Sequence, residues 1–356
     1  MKKQLFTLFL ILLFGFPAIA QTDSTSQKNI SIAGIPLVGY NTQMGVKLGV
    51  NLMAFFKINP EKNLKSPPST MGLVGFYTTN DSWITLLFQR LYLNNDNWRV
   101  IWAVGTGNIN FQYYEDEFLP TPDYVDYTTT SRFMFASIQK RVLGKFYSGL
   151  LFQSQKLNTE FDYQGEGMSS TDSAKNIVAW GIPLSYDTRN SQYNASKGFF
   201  INSRFSFYQK WIGSDLEYNT LYIEANSYQP LNDMTTLAWR VTAYTGLGDV
   251  PFEGQKVVGR NDIRGYSEGR YRGNQVYTTQ AEYRQKIKGK WGGVAFFGLA
   301  MAYDKESEDD NWSPLLPGGG VGIRYLMIPD RNINAGLDVG VGRKDYGIYF
   351  RLTEAF

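Results

Sequence analysis

Residues 235–246, TTLAWRVTAYTG, alternate between apolar and polar side chains. Leu237, Trp239 and Val241 share one face of an extended chain, and Arg240 lies on the other. This period of two is typical of a β-strand whose faces meet different surroundings. The same alternation recurs in FFINSRFSF at 199–207 and in VYTTQAEYRQKI at 276–287. Because the polar face carries charges in strand after strand, the pattern favours a water-filled lumen on one side and lipid on the other.

The shared alternation also predicts which side chains line the lumen. We expect six charged residues to face it: Arg204, Glu224, Arg240, Glu282, Arg284 and Arg324. We expect five apolar or aromatic residues to face lipid: Leu237, Trp239, Val241, Ala281 and Tyr283. A soluble β-sandwich would alternate in the same way, so the period alone leaves that fold open.

The composition of the 356 residues narrows the choice of class. The chain has no cysteine, which excludes a disulfide scaffold, and no histidine, which removes the commonest general base and metal ligand. A membrane hydrolase is therefore disfavoured, and we expect no enzyme activity, no cofactor and no metal. The acidic run DKESEDDNW at 304–312 is expected to be a solvated loop rather than a calcium site. The net charge of +3 gives no reason to expect nucleic acid as a partner.

The first twenty residues, MKKQLFTLFLILLFGFPAIA, have the features of a secretory signal peptide. Two lysines precede an apolar core, and small residues stand at Ala18 and Ala20. We expect 1–20 to be removed, 21–29 to be a short periplasmic segment, and 30–356 to form one barrel domain. Later apolar stretches are too short for a spanning helix, so an integral membrane protein would have to be a β-barrel.

Turn signals divide residues 30–356 into about sixteen strands. Clusters of Gly, Pro, Asn and Asp mark short connections such as NNDN and LGK, which alternate with mostly longer ones such as EDEFLPTPDY. Short turns of outer-membrane barrels face the periplasm, and long loops face outside. The sequence therefore predicts an all-β fold, a transmembrane antiparallel β-barrel of about 16 strands.

The chain ends on an amphipathic strand, YGIYFRLTEAF at 346–356. Phe350, Leu352 and Phe356 share one parity, and an aromatic residue closes the chain. This ending resembles the signal by which the barrel-assembly machinery recognises its substrates. A buried last strand of a soluble sandwich is the alternative.

Three motifs in order resemble one known family. NDIRGY at 261–266 lies in a glycine- and arginine-rich loop, 247–274, between the eleventh and twelfth predicted strands. YDTRNSQYNASKG at 186–198 precedes it, and GGGVGIRYLMIPDRNINAGLDVGVG at 318–342 follows. They resemble, respectively, the sixth extracellular loop, a periplasmic turn and the penultimate hairpin of the BamA-type assembly barrels, the Omp85 or bacterial surface antigen superfamily. The resemblance spans most of residues 30–356.

The resemblance implies roles for individual residues of the loop motif, Ile263, Arg264, Gly265 and Tyr266. It implies an inward-folded sixth loop in which Arg264 pairs with Glu282 and Asp304. Gly265 would let the backbone turn, and Tyr266 would pack among lumen side chains. Gly298 stands where the family often has an acid, so we expect a thinner set of anchors. A solvated basic loop is the alternative, and the other loop arginines, Arg260, Arg270 and Arg272, are expected at the surface.

The resemblance also implies a location and a class of function. We expect an integral protein of the bacterial outer membrane, in contact with outer-membrane lipid. Family members that insert proteins carry periplasmic POTRA domains, and with only residues 21–29 before the first predicted strand we expect none here. The expected role is an auxiliary one in protein or lipid assembly or translocation through a deformable seam, alone, as a homo-oligomer, or within a larger outer-membrane assembly complex. The alternative is a passive pore or structural scaffold.

Overall fold

The computed structural model describes residues 30–59, 66–115, 123–162, 173–259, 261–267, 271–303 and 315–356. In this part of the chain the strands are β1 (Ile30–Asn41), β2 (Gly45–Phe56), β3 (Ser69–Thr78), β4 (Trp83–Leu93), β5 (Trp98–Glu115), β6 (Asp123–Leu143), β7 (Phe146–Asp162), β8 (Ser173–Asp187), β9 (Gly198–Tyr208), β10 (Tyr218–Asn232), β11 (Thr235–Leu247), β12 (Lys256–Val257), β13 (Arg272–Gly273), β14 (Gln275–Lys288), β15 (Trp291–Tyr303), β16 (Leu316–Ile328), β17 (Ile333–Gly342) and β18 (Asp345–Leu352). Three short 3-10 turns lie at Lys210–Ile212, Phe252–Gly254 and Pro329–Arg331. None of the helices described is long and apolar enough to cross a membrane.

Sixteen of these strands form one closed antiparallel barrel. Each strand pairs with its neighbour in the chain, except that β11 pairs with β14 across the two-residue strands β12 and β13. Pairing of β1 with β18 closes the cylinder. The predicted fold and its sixteen barrel strands are therefore confirmed, and the sandwich is excluded.

The two faces of the wall match the sequence alternation. Outward residues such as Trp239, Val241 and Tyr283 are 54%, 45% and 45% exposed. Four of the charged residues assigned to the lumen are buried inside: Arg240, Glu282, Arg284 and Arg324. Charge on the inner face and apolar surface on the outer face is the arrangement that a barrel needs in lipid.

The wall differs greatly in height around the barrel. β5, β6 and β7 have 18, 21 and 17 residues, whereas β18 has 8. A tight turn joins β4 to β5, with Asn94, Asn95 and Asp96 at positive φ, a conformation that Asn and Asp tolerate better than other residues with a side chain. The tall strands extend on the side to which the long predicted loops belong, the extracellular side.

The last residues leave the wall. Thr353 has a φ of 79°, and the chain after it turns into the lumen. Phe350 keeps its place in β18 opposite Leu337, but Leu352 is buried against Ala33 and Ile35 of β1. The backbone oxygen of Phe356 accepts a hydrogen bond from Arg284. The predicted common parity therefore holds through Phe350 and ends where the bend at Thr353 turns the chain inward.

Candidate functional site

Arg264 lies against the inner face of the barrel wall and is fully buried. It is part of loop 6, the connection of residues 248–274 between β11 and β14. Its Nη1 lies 2.7 Å from Asp338 Oδ2, and its Nη2 pairs with Glu282 Oε2. Its Nε donates to Gln280 Oε1 at 3.1 Å, and its guanidinium carbon lies 3.5 Å from the centroid of the Phe296 ring. The guanidinium is thus paired and stacked, as burial of a permanent charge requires.

The carboxylates that hold Arg264 are themselves held by further arginines. Arg284 Nε lies 2.7 Å from Glu282 Oε1, and Arg351 Nε lies 2.9 Å from Asp338 Oδ2. A third arginine, Arg324, pairs with Asp338 and lies 2.7 Å from Glu354 Oε2. Four guanidinium groups and three carboxylates therefore form one buried network that joins loop 6, β14, β16, β17, β18 and the C-terminal segment. Deleting one member of such a network breaks several charge-assisted bonds at once.

Glycine lets the loop lie directly on the barrel wall. Gly265 has a φ of 109°, and a Cβ there would lie 2.5 Å from the carbonyl of Val341. On the facing wall, a Cβ at Gly318 would lie 2.5 Å from the Arg264 carbonyl oxygen, and one at Gly340 would lie 2.9 Å from the Gly265 nitrogen. The glycine-rich hairpin of β16 and β17 therefore serves as the platform for the motif.

The two residues beside Arg264 and Gly265 fix the motif to the wall. Ile263 is fully buried in an apolar cluster with Val276 and Leu316. The Tyr266 hydroxyl donates to the Pro317 carbonyl at 2.7 Å and accepts from the Arg343 nitrogen at 3.0 Å. The motif is consequently positioned by packing as well as by charge.

The sequence prediction named Glu282 and Asp304 as partners of Arg264. The structure brings Arg264 and Glu282 together, whereas Asp304 lies outside the described residues. The second carboxylate in the structure is Asp338 of β17, which the prediction missed. Its signal was present, because Asp338 has inward parity within an otherwise glycine- and valine-rich strand. Gly298, where the resemblance implies a thinner set of anchors, lies opposite Gln280, and Gln280 bonds Arg264 directly.

The other end of loop 6 reaches the tall wall of β5 to β7. Phe252 packs edge to face on Tyr127 and Phe161, with ring centroids 5.2 and 5.0 Å apart. The Arg272 guanidinium stacks on Phe252 at 3.5 Å and donates to the Tyr127 hydroxyl at 3.2 Å. Lys175 Nζ lies 2.8 Å from Glu253 Oε1. Arg272 is therefore a lumen residue, contrary to expectation, because loop 6 folds inward along its whole described length; Arg260 and Arg270 lie outside the described residues.

Between the two ends, Asp262 ties loop 6 to β11. Its carboxylate lies 2.7 Å from Arg240 Nη2 and 3.0 Å from Lys256 Nζ. Burial raises the pKa of the Asp262 carboxyl, but the charges of Lys256 and Arg240 outweigh burial and hold that pKa below its usual range. Loop 6 thus crosses the lumen from one wall to the other with ionic contacts at several points.

The seam between β1 and β18 is the second feature of the site. In the described residues its register joins Tyr40 with Ile348 and Asn41 with Gly347, and no further pair. A cavity of about 340 Å³ lies beside the seam, lined in part by Asn51 and Arg351. Most of the β1 edge and most of the facing β18 edge therefore have no partner in the described ladder.

Asp345 closes the extracellular end of the seam. One of its oxygens accepts from Thr42 Oγ1 at 2.7 Å, and the other accepts from the Ser267 backbone nitrogen at 2.7 Å. The rings of Tyr40 and Tyr346 stack beside it at 5.3 Å. Three segments therefore meet at the Asp345 carboxylate: loop 6, the loop after β1 and the start of β18. Ser267 is only three residues from Arg264, so this meeting point lies close to the loop motif.

Comparison with known proteins agrees with this geometry. Residues 37–342 match the Omp85 superfamily domain. The chain belongs to the Omp85 superfamily. It is accordingly an integral protein of the outer membrane, and the sequence-based resemblance is confirmed.

Solved Omp85-type barrels share the fold at low sequence identity. BamA from Haemophilus ducreyi lacking POTRA domains 1-3 has 12% identity and a TM-score of 0.58, and the match covers 94% of this chain and 74% of that one. CdiB from Acinetobacter baumannii has 11% identity and a TM-score of 0.58, covering 95% and 64%. CdiB from Escherichia coli has 12% identity and a TM-score of 0.61, covering 92% and 64%. This Omp85 chain thus spans less than two thirds of the CdiB chains, and comparison with curated protein sequences finds no match.

Proposed function

We propose that this Omp85 barrel assists the assembly or translocation of outer-membrane polypeptides by opening between β1 and β18. The observation that carries the proposal is the two-pair seam, because an unpaired strand edge is a ready template for another strand. An incoming strand could pair with β1 without first breaking a long ladder.

Loop 6 and Asp345 determine when the seam is closed. The Arg264 network holds the loop against β17, and Asp345 joins that loop to both seam strands. The proposed cycle therefore includes a step in which the Asp345 contacts break while the buried network stays intact. The cycle involves only exchange of hydrogen bonds, with no chemical step and no enzyme activity.

The alternative of a passive pore is less well supported. Loop 6 reaches from the Arg264 network to Phe252 on the opposite wall, so an open aqueous path would require the loop to leave the lumen. Membership in the superfamily supports a larger outer-membrane assembly complex as the working partner. In this proposal the barrel provides the deformable wall and the complex provides the substrate.

A disulfide across the seam tests the proposal directly. The chain has no cysteine, so the double variant Tyr40→Cys/Ile348→Cys joins two residues that lie opposite each other and introduces the only thiols. In lipid vesicles, the oxidised variant should no longer accelerate insertion of a test outer-membrane barrel, and reduction should restore the wild-type rate.

The matched control is Val321→Cys/Val339→Cys, an opposite pair in the continuous ladder of β16 and β17. Oxidation of this control should leave the insertion rate unchanged. A seam-locked protein that inserts the test barrel as fast as its reduced form would rule out opening at β1 and β18.

A further inference from the structure

The periplasmic end of β14, β15 and β16 carries two exposed lysines beside two aromatic rings. Lys288 lies opposite Trp291 in the ladder, and Trp291 lies opposite Tyr325. The rings of Trp291 and Tyr325 are 5.0 Å apart, and Lys290 Nζ lies 6.0 Å from the Tyr325 centroid. A β-bulge at Ile287 turns Lys288 to the outer face, since it shifts the register by one residue. Two ammonium groups and two rings are thus placed together on the outside of the barrel.

These lysines differ in their pairing from the three lysines that form ion pairs in the described chain. Lys175, Lys210 and Lys256 each lie within 4.0 Å of a carboxylate, whereas Lys288 and Lys290 form no ion pair within the part of the chain that the structure describes. The turns on either side contribute one acid each, Asp233 and Asp330, and neither lies within ion-pair distance of them. Their charges are therefore available to an anion from outside the protein.

A row of small outward residues on β15 leads from this cluster into the lipid-facing wall. The outward residues of β15 above Trp291 are Gly293 and Ala295. They are flanked by larger side chains, Gln285 and Ile323 beside Gly293, and Tyr283 and Val321 beside Ala295. Because strands lie about 4.8 Å apart, the flanking rows are about 10 Å apart. The Ile287 side chain lies beside Gly293, with its Cδ1 3.5 Å from where a Cβ would stand, so the space between these rows stays open over Ala295 and forms a short groove there.

We infer that this cluster binds one anionic phospholipid of the periplasmic leaflet. The headgroup phosphate lies between Lys288 and Lys290, where exposed lysines attract an anionic lipid surface. The glycerol region packs on Trp291 and Tyr325, as interfacial aromatic residues do, and one acyl chain follows the groove over Ala295. The site lies away from the β1 and β18 edges and does not depend on the proposed function of the seam.

Brominated lipids provide the test, because bromine quenches only nearby tryptophans. The full-length protein is reconstituted in vesicles that contain increasing fractions of brominated phosphatidylglycerol or brominated phosphatidylcholine. Brominated phosphatidylglycerol should quench one tryptophan component at a mole fraction on the order of tenfold lower than brominated phosphatidylcholine requires, because two lysines lie at the headgroup level. Trp291→Phe should remove that component, and Lys288→Gln/Lys290→Gln should abolish the preference.

Two further variants keep the inference falsifiable. Lys145→Gln/Lys197→Gln removes two exposed lysines from other periplasmic turns and should retain the preference. Ala295→Leu fills the groove and should weaken quenching by both lipids while leaving the lysines in place. Equal quenching of the wild type by the two lipids would contradict the site. If Lys145→Gln/Lys197→Gln lost the preference for phosphatidylglycerol as fully as Lys288→Gln/Lys290→Gln, the preference would come from general surface charge and not from a site. Unchanged quenching in Ala295→Leu would exclude the acyl groove.

Discussion

The seam and the tall wall are two ladders of the same barrel with very different extents of pairing. β5 and β6 pair over all 18 residues of β5, whereas β1 and β18 pair at two positions. β1 itself is not irregular, because all 12 of its residues pair with β2 on the other side. The difference shows that the weakness belongs to the β18 edge, which is short and bends inward after Leu352.

Loop 6 connects these two regions. Its Arg264 end is bound to β14 and β17 near the seam, and its Phe252 end packs on the tall wall. Since a hydrogen bond contributes about 0.5 to 1.5 kcal/mol net, a two-pair seam contributes little, and we expect the contacts of loop 6 to decide whether it stays closed. We therefore expect loop variants near the seam to affect opening and variants at the tall wall to leave opening unchanged.

Removing Arg264 should have the largest effect. Arg264→Ala removes the charge-assisted bonds to Glu282 and Asp338, each worth about 1.5 to 3 kcal/mol, although Arg284, Arg324 and Arg351 still contact these carboxylates. Loop 6 should leave the lumen, so trypsin should cleave within it and single-channel conductance should rise, while the heat-modifiable migration of the barrel persists. Arg264→Lys should rescue only in part, because an ammonium cannot reproduce the fork that holds two carboxylates.

Arg204→Ala is the matched control for this change. Arg204 also faces the lumen, but its described contact is a stacking distance of 4.9 Å to the Tyr222 ring, without a carboxylate. If Arg204→Ala released loop 6 as readily as Arg264→Ala, the loop would be held by general charge balance in the lumen and not by the buried network.

Asp345→Asn should have an intermediate effect that is confined to the seam. The variant keeps the shape of the side chain but weakens the charge-assisted bonds from Thr42 and Ser267, each worth about 1.5 to 3 kcal/mol. Hydrogen exchange should accelerate on the order of tenfold at the amides of β18, with no change in β5 and β6. Asp330→Asn, on the periplasmic turn after β16, is the control and should change neither ladder; faster exchange in both ladders would mean that the two regions open together.

The two ladders also differ in how much of them the sequence could predict. Alternation around Trp239 and Arg240 predicted the barrel and its faces, because each strand carries its own inside and outside pattern. Arg264 and Glu282 followed from motif order. The roles of Asp338 and Arg272 did not follow from the sequence, because they depend on how loop 6 folds. Asp338 contacts Arg264, 74 positions away, and Arg272 contacts Phe252, 20 positions away. The short seam was also beyond prediction, since the bend at Thr353 and the burial of Leu352 against β1 are contacts that alternation within one strand does not encode.

Arg272→Ala should have the smallest effect and should act at the tall wall. The variant removes the stacking on Phe252 and the bond to the Tyr127 hydroxyl, a loss of about 1 kcal/mol for a partly exposed cation–π contact. Chymotrypsin cleavage after Phe252 should accelerate by about fivefold, the factor that corresponds to such a loss. Hydrogen exchange in β18 should stay at the wild-type rate, because the Arg264 network isolates the seam from the far end of the loop. If exchange in β18 rose as much as in Asp345→Asn, loop 6 would transmit strain across the lumen, and the tall wall would regulate the seam instead of standing apart from it.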